Sequence, residues 1–187
     1  MTDIEFALDT FGDVTTGTNG TLLPQDQVLR NVIAEGVLAD QVGVDFFGLG
    51  EHHRDDFAIS SPEVLLAAIA AQTSRIKLGT AVTVLSTDDP VRLYQRFSTL
   101  QAISNGRAEV ILGRGSFTES YGLFGADLRQ YEALFEEKLD LFARLLKGGK
   151  IKWSGKLRAP LDGVTVYPPL PKGGLTAWIG VGGSPES

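Results

Sequence analysis

The chain has 187 residues, 43% hydrophobic and 21% charged, with 17 basic against 23 acidic side chains and a formal net charge of −6. That composition is ordinary for a globular protein and argues against disorder, while an acidic balance without a Lys/Arg cluster argues against a nucleic-acid partner. There are no cysteines, which excludes disulfides, Cys-ligated zinc, iron–sulfur clusters and a Cys nucleophile. The opening Met1-Thr2-Asp3-Ile4-Glu5 is acidic, unlike a secretory signal. No apolar run approaches the roughly 18 residues of a membrane span, so a cytoplasmic protein that avoids membranes is expected.

The elements alternate. Residues 4–8 read as a first strand. A helix is predicted over 25–42, with Val28, Val32, Ile33 and Val37 inward and Gly43 as its stop. Residues 45–49 form a second strand. Ser60-Ser61-Pro62-Glu63 opens a second helix with cap residues, an early proline and a glutamate placed for a capping box. A third strand covers 75–84, and a third helix runs from Asp89-Pro90 to Asn105-Gly106. A fourth strand covers 108–112. The fourth helix, 130–146, carries Leu134, Phe135, Lys138, Leu139, Phe142 and Leu145 at helical spacing and ends at Gly148-Gly149.

Four strand–helix units therefore occupy 1–149. An excursion rich in Pro and Gly follows over 150–176, with β-like pieces at 151–153 and 164–167. Residues 177–187 hold a fifth strand, at 178–181, and the start of a glycine-rich turn. Such alternation implies an α/β fold with a parallel sheet and right-handed crossovers. An open doubly wound sheet fits, and so does the N-terminal part of a (β/α)₈ TIM-type barrel, since an intact barrel needs about 200 residues or more.

In either architecture function collects after the strands, at their C-terminal ends. Glu51, His52, His53 and Arg54 follow the second strand. Adjacent residues of an extended chain point to opposite sides, so one histidine is expected in the pocket, as acid, base or donor. The competing reading is that Glu51-His52-His53 caps the strand and pairs with Arg54. Two adjacent histidines without a third do not make a metal site, so none is expected. Arg114 stands between Gly113 and Gly115, where small neighbours let an anionic ligand approach; the competing reading is a surface arginine in a loop. Gly182-Gly183-Ser184-Pro185-Glu186-Ser187 offers free backbone N–H groups to a phosphate, or is a plain turn; it is no Walker loop, because the lysine is missing.

In series these segments resemble the luciferase-like monooxygenases, the flavin-dependent family that includes bacterial luciferase. The resemblance is carried by Phe47-Gly48-Leu49-Gly50-Glu51-His52-His53 and Ile76-Lys77-Leu78-Gly79-Thr80-Ala81-Val82. It continues through Asp89-Pro90-Val91-Arg92, Ser104-Asn105-Gly106-Arg107, Gly113-Arg114-Gly115 and Val181-Gly182-Gly183-Ser184-Pro185-Glu186-Ser187. It implies a TIM-type barrel with reduced FMN at the C-terminal mouth, or the deazaflavin coenzyme as the alternative. The implied reaction is oxidation of a small organic substrate by reduced FMN and O2, with a separate flavin reductase supplying the reduced cofactor.

By that resemblance His52 takes the place of the family's active-site histidine, supported by His53 and Glu51. Thr80, Ala81 and Val82 match a strand end under the flavin ring, where the family often has a non-proline cis peptide. Arg114, with Gly115 and Ser116 beside it, reaches toward the flavin phosphate, and Gly183, Ser184 and Ser187 belong to the phosphate turn. The family's later strands are absent from this sequence, which leaves two unpaired sheet edges and an open apolar interior. A fragment of a longer protein, or two copies that complete each other, would answer that, and a homodimer is expected. The readings that compete with the monooxygenase are a non-catalytic flavin-binding protein and an inactive fragment held together by self-association. The substrate is left open among aldehydes, hydrocarbons and sulfonates.

Overall fold

Short apolar runs alternating with amphipathic segments are realised as a parallel sheet covered by helices in the computed structural model, which describes residues 4–182. The elements in chain order are β1 (Ala7–Thr10), α1 (Gln25–Val42), β2 (Phe46–Leu49), α2 (Pro62–Ala70), β3 (Lys77–Thr80), β4 (Thr83–Val84) and α3 (Pro90–Ile103). There follow β5 (Ala108–Gly113), α4 (Glu119–Leu123), α5 (Tyr131–Leu146), β6 (Ile151–Trp153), β7 (Leu161–Val164) and β8 (Thr176–Ile179). The sheet order is β1-β2-β3-β5-β4, with β8 also pairing β5, and every pairing in it is parallel. β6 and β7 form a separate antiparallel hairpin.

The predicted helix over 25–42 is α1, ended by Gly43 in the left-handed conformation at φ 92°. Five other expectations are corrected. The single strand over 75–84 is two pieces, β3 and β4, separated at Ala81-Val82, whose peptide bond is cis, as the family resemblance implied. The first strand begins three residues later than expected, and the fifth two residues earlier. The β-like piece expected at 164–167 is β7 at Leu161–Val164, where Leu161 and Val164 pair with Trp153 and Ile151 of β6. The capping box at the start of α2 does not form: Ser61 makes no side-chain cap bond, and the Glu63 carboxylate turns instead to the Arg96 guanidinium, at 3.1 Å. The short α4, five residues long, was not anticipated.

The core lies between the sheet and the helices on its outer side. Phe47, Leu49, Leu78, Val110 and Leu112 of the strands are buried against Leu66 and Ile69 of α2 and Leu93, Phe97 and Leu100 of α3. Leu141, Phe142 and Leu145 of α5 extend this core and cover Ile151 and Trp153. Polar pins hold the excursion. The Glu137 carboxylate accepts the backbone N–H groups of Lys156, Leu157 and Arg158. Arg158 in turn donates to Asp89, the residue whose other carboxylate oxygen caps α3 by accepting from Val91 and Arg92.

At the N-terminal end of the sheet Arg107 ties three elements together. Its Nε donates to the Ser104 carbonyl, Nη1 to Thr73 Oγ1 and the Ile76 carbonyl, and Nη2 to the Ala70 and Thr73 carbonyls. All five guanidinium donors are used, and the acceptors are orphan groups after α2, after α3 and just before β3. Asp40 of α1 works beside it, accepting the N–H groups of Arg75 and Ile76. At the two sides of the sheet, β1 and β8 are each paired on one flank only among the described residues. Phe6, Leu8, Trp178 and Ile179 are exposed there.

Two predictions follow from these polar ties. Arg107→Lys keeps the charge but loses the fork, and is expected to lower the unfolding free energy by about 2–4 kcal/mol in urea denaturation. For Glu137, burial raises the carboxyl pKa but the three backbone N–H bonds outweigh it and hold it below the usual carboxylate range. Its contribution is therefore complete above the ordinary glutamate value and is lost as pH falls through the lower folded-state value. Between neutral pH and pH about 3 the urea midpoint of Glu137→Gln should fall less than that of the wild type.

Candidate active site

The C-terminal ends of β1, β2, β4 and β5 surround a cleft of about 490 Å³, within the range of small-ligand sites. Ala81 and Val82 form an apolar part of its wall, and Gly115, Ser116, Phe117, Glu119 and Ser120 form another part. Val82 reaches its place because glycines stand where side chains would obstruct it. A Cβ on Gly113 would lie 2.5 Å from Val82 Cγ2, and one on Gly180 would lie 2.9 Å from Val82 Cγ1. Gly50 does the same for Phe11, whose ring occupies the space 2.0 Å from where a Cβ would sit.

Phe11 is part of a cage around His52. The imidazole stacks on Phe57 at a centroid distance of 4.5 Å and meets the rings of Phe11 and Phe117 edge-on at 5.1 and 4.8 Å. The side chain is 11% exposed, and its Nδ1 lies 3.6 Å from Glu119 Oε1. His53 uses its other nitrogen: Nε2 is 3.0 Å from Glu51 Oε1, while Glu51 Oε2 accepts the Val84 N–H at 3.0 Å. Both imidazoles border the cleft, which corrects the expectation of one. The chain has left the strand at Leu49, so the alternation of an extended chain no longer governs residues 52 and 53. Arg54 does not pair with Glu51, as the competing reading required; it forms a bidentate pair with Asp56 and lies over the Phe117 ring.

Arg114 follows β5 and is held before any ligand arrives. Its Nη1 donates to both oxygens of Glu132, at 2.6 and 2.8 Å, and its guanidinium lies over the Tyr131 ring. Tyr121 Oη donates to the Arg114 carbonyl at 3.1 Å, and Tyr131 Oη to that of Gly115 at 2.8 Å. Burial raises the Tyr121 phenol above its usual pKa, so it remains a donor. Thr80 does not line the cleft. Its hydroxyl is buried in the sheet, bonded to the Ile111 backbone and accepting from Thr83. Gly183, Ser184 and Ser187 lie outside the described residues.

The structure adds residues the sequence did not single out: Phe57 and Phe117, which join Phe11 in the cage, Glu119 beside His52, and Ser120. Ser120 borders the cleft, is 2% exposed, and its hydroxyl has no hydrogen-bond partner among the described residues. A smaller cavity of about 310 Å³ shares the Glu51–His53 wall and contains Glu63, Asp88 and Arg96. Burial raises both carboxyls above their usual pKa despite the nearby Arg96 guanidinium. Among the described residues no cluster of His, Asp or Glu is arranged to hold a metal, and no helix is long and apolar enough to cross a membrane.

The family model of the luciferase-like monooxygenases matches residues 9–187. The chain belongs to this family. Among luciferase-like relatives, an uncharacterised protein of Sinorhizobium fredii is 33% identical over 141 residues, 74% of this chain and 40% of that protein. The alkanal monooxygenase alpha chain of Photorhabdus laumondii is 31% identical over 113 residues, 60% of this chain and 32% of the relative. The fold matches the oxygenating constituent of 3,6-diketocamphane monooxygenase from Pseudomonas putida, solved in complex with FMN. That match has a TM-score of 0.79 at 24% identity and covers 94% of this chain and 50% of the other. The sheet and its helices are thus part of a TIM-type barrel, and the chain spans half or less of the length of these proteins.

The fit of Val82 between glycines is open to test. Val82 is β-branched and stiff at χ1, so it has little freedom to move aside. Gly113→Ala is expected to lower stability by about 1–3 kcal/mol, read as a lower urea midpoint.

Proposed function

We propose that this chain carries the flavin site of a monooxygenase that uses reduced FMN and O2 to oxidise a small organic substrate. The observation that carries the reading is His52, boxed by three aromatic rings and bordering a largely apolar cleft at the C-terminal ends of parallel strands. The residues fit a flavin. Ala81 and Val82 offer an apolar surface to a flat ring, and Ser120 Oγ, buried without a partner among the described residues, offers a hydrogen bond to its polar edge. Arg114, oriented by Tyr131 and Glu132, supplies a cation for the phosphate, with Gly115 and Ser116 beside it. The family resemblance assigns Gly183, Ser184 and Ser187 to the same phosphate. When bound, reduced FMN supplies the electrons that activate O2. The deazaflavin coenzyme is the alternative cofactor.

The chain's own residues then have separate tasks. The phenylalanine cage excludes water around His52 and strengthens electrostatic interactions there. His52 takes up or delivers a proton at the substrate or ring edge. Glu51, anchored by the Val84 N–H, fixes the orientation of His53. A separate flavin reductase supplies the reduced cofactor, and the working form is a cytoplasmic homodimer.

The test combines flavin-fluorescence titration with oxygen uptake in a reductase-coupled assay over a panel of aldehydes, ketones and terpenes. His52→Ala should lower turnover about a hundredfold or more with little change in FMN affinity. Arg114→Ala should weaken FMN about tenfold to a hundredfold. Undiminished turnover in His52→Ala would sink the role of that histidine, and equal FMN affinity in Arg114→Ala would sink the phosphate assignment. FMN binding without oxygen uptake on any substrate would favour the non-catalytic flavin-binding reading.

A further inference from the structure

The two histidines are neighbours in sequence but meet carboxylates through different ring nitrogens. His53 faces Glu51 through Nε2 at 3.0 Å. Glu51 is itself anchored by the Val84 N–H. A carboxylate in that setting accepts hydrogen bonds, so the imidazole nitrogen beside it must carry the proton. His52 faces Glu119 through Nδ1 at 3.6 Å. Its flat surroundings are otherwise the rings of Phe57, Phe11 and Phe117. Arg54, the nearby cation, is engaged by Asp56 in a bidentate pair. Asp56, held by Arg54, also interacts electrostatically with His52, but the carboxylate in contact with one of its ring nitrogens is that of Glu119.

We propose that Glu119 is the positioning residue of His52, and that Glu119 and Glu51 hold the two adjacent imidazoles in opposite tautomers, His52 protonated on Nδ1 and His53 on Nε2. The separation of 3.6 Å exceeds a hydrogen bond. It is a contact of the kind that tightens when a site binds its ligand, and the electrostatic preference for N–H on the nearer nitrogen is already present. Protonation at Nδ1 leaves the lone pair on Nε2, so that Nε2 is the nitrogen at which His52 can accept a proton. Glu119 is the first residue of α4, so this short helix, anchored by the buried Tyr121, delivers the group that sets the chemistry of a histidine on a different strand end. The use of His52 in turnover rests on the function proposed above; the tautomers themselves do not.

The chain contains only two histidines, so proton–nitrogen correlation NMR of labelled imidazoles gives two sets of signals, assigned with His53→Gln. The cofactor-free wild type should show His52 in the Nδ1–H form and His53 in the Nε2–H form. Glu119→Gln, which retains an oxygen acceptor, should preserve the His52 tautomer. Glu119→Leu should lower its Nδ1–H fraction about threefold or more, with the His53 signals unchanged. An Nε2–H form of His52 in the wild type overturns the inference, whether or not the leucine variant folds. So does a folded Glu119→Leu chain whose His52 signals match the wild type. Opposite tautomers in a chain that binds no FMN would sustain this inference and remove the proposed function. FMN-dependent turnover with His52 in the Nε2–H form would do the reverse.

Discussion

Arg107 is the contact on which the arrangement of helices and strands depends. The chain must turn back after α2 and again after α3 at the same end of the sheet, and each turn leaves carbonyls that helix geometry cannot satisfy. One guanidinium takes acceptors from both turns and from the residue that leads into β3. Asp40 fixes the donors of the same segment from the side of α1. With that end of the sheet pinned, the loops at the other end are released from structural duty and can be spent on a site.

The site itself combines a largely apolar surface with a few fixed charges. Several polar groups at the cleft or beside it are held by a partner: Glu51 by an amide and an imidazole, Arg114, next to the lining residue Gly115, by a carboxylate and an aromatic face, and the carbonyls of residues 114 and 115 by tyrosines. Such prior arrangement reduces the reorganisation that a ligand or a moving proton would otherwise demand. The Ser120 hydroxyl departs from this pattern, as does His52, whose nearest carboxylate stands beyond hydrogen-bond range.

Much of the fold was legible. Helix α1 reads from a clean apolar period with a terminal glycine, and the Arg114-Gly115 segment reads from its place after a strand. The break between β3 and β4 was hidden, because residues 75–84 are nearly all compatible with a strand and nothing local marks Ala81-Val82 apart from the family resemblance. The capping box failed because α2 starts at Pro62, which makes Ser61 the N-cap and Glu63 the second helical residue rather than the third, and Glu63 pairs with Arg96 of another helix. The His52 cage was invisible for a similar reason: Phe11, Phe57 and Phe117 come from separate segments, and their convergence is a property of the sheet order. Glu119 lay in a helix too short to announce itself by periodicity.

The close seating of Val82 against positions 113 and 180 also governs how this sequence is free to vary. The three positions form a coupled set in which the effect of one substitution is conditional on the residues at the other two. A methyl group at either glycine meets less resistance once residue 82 has lost its branch, while the opposite order passes through a strained intermediate. Mutational histories across this part of the cleft are therefore directional, and swapping a single one of these residues between relatives would carry an epistatic penalty that swapping the set would not.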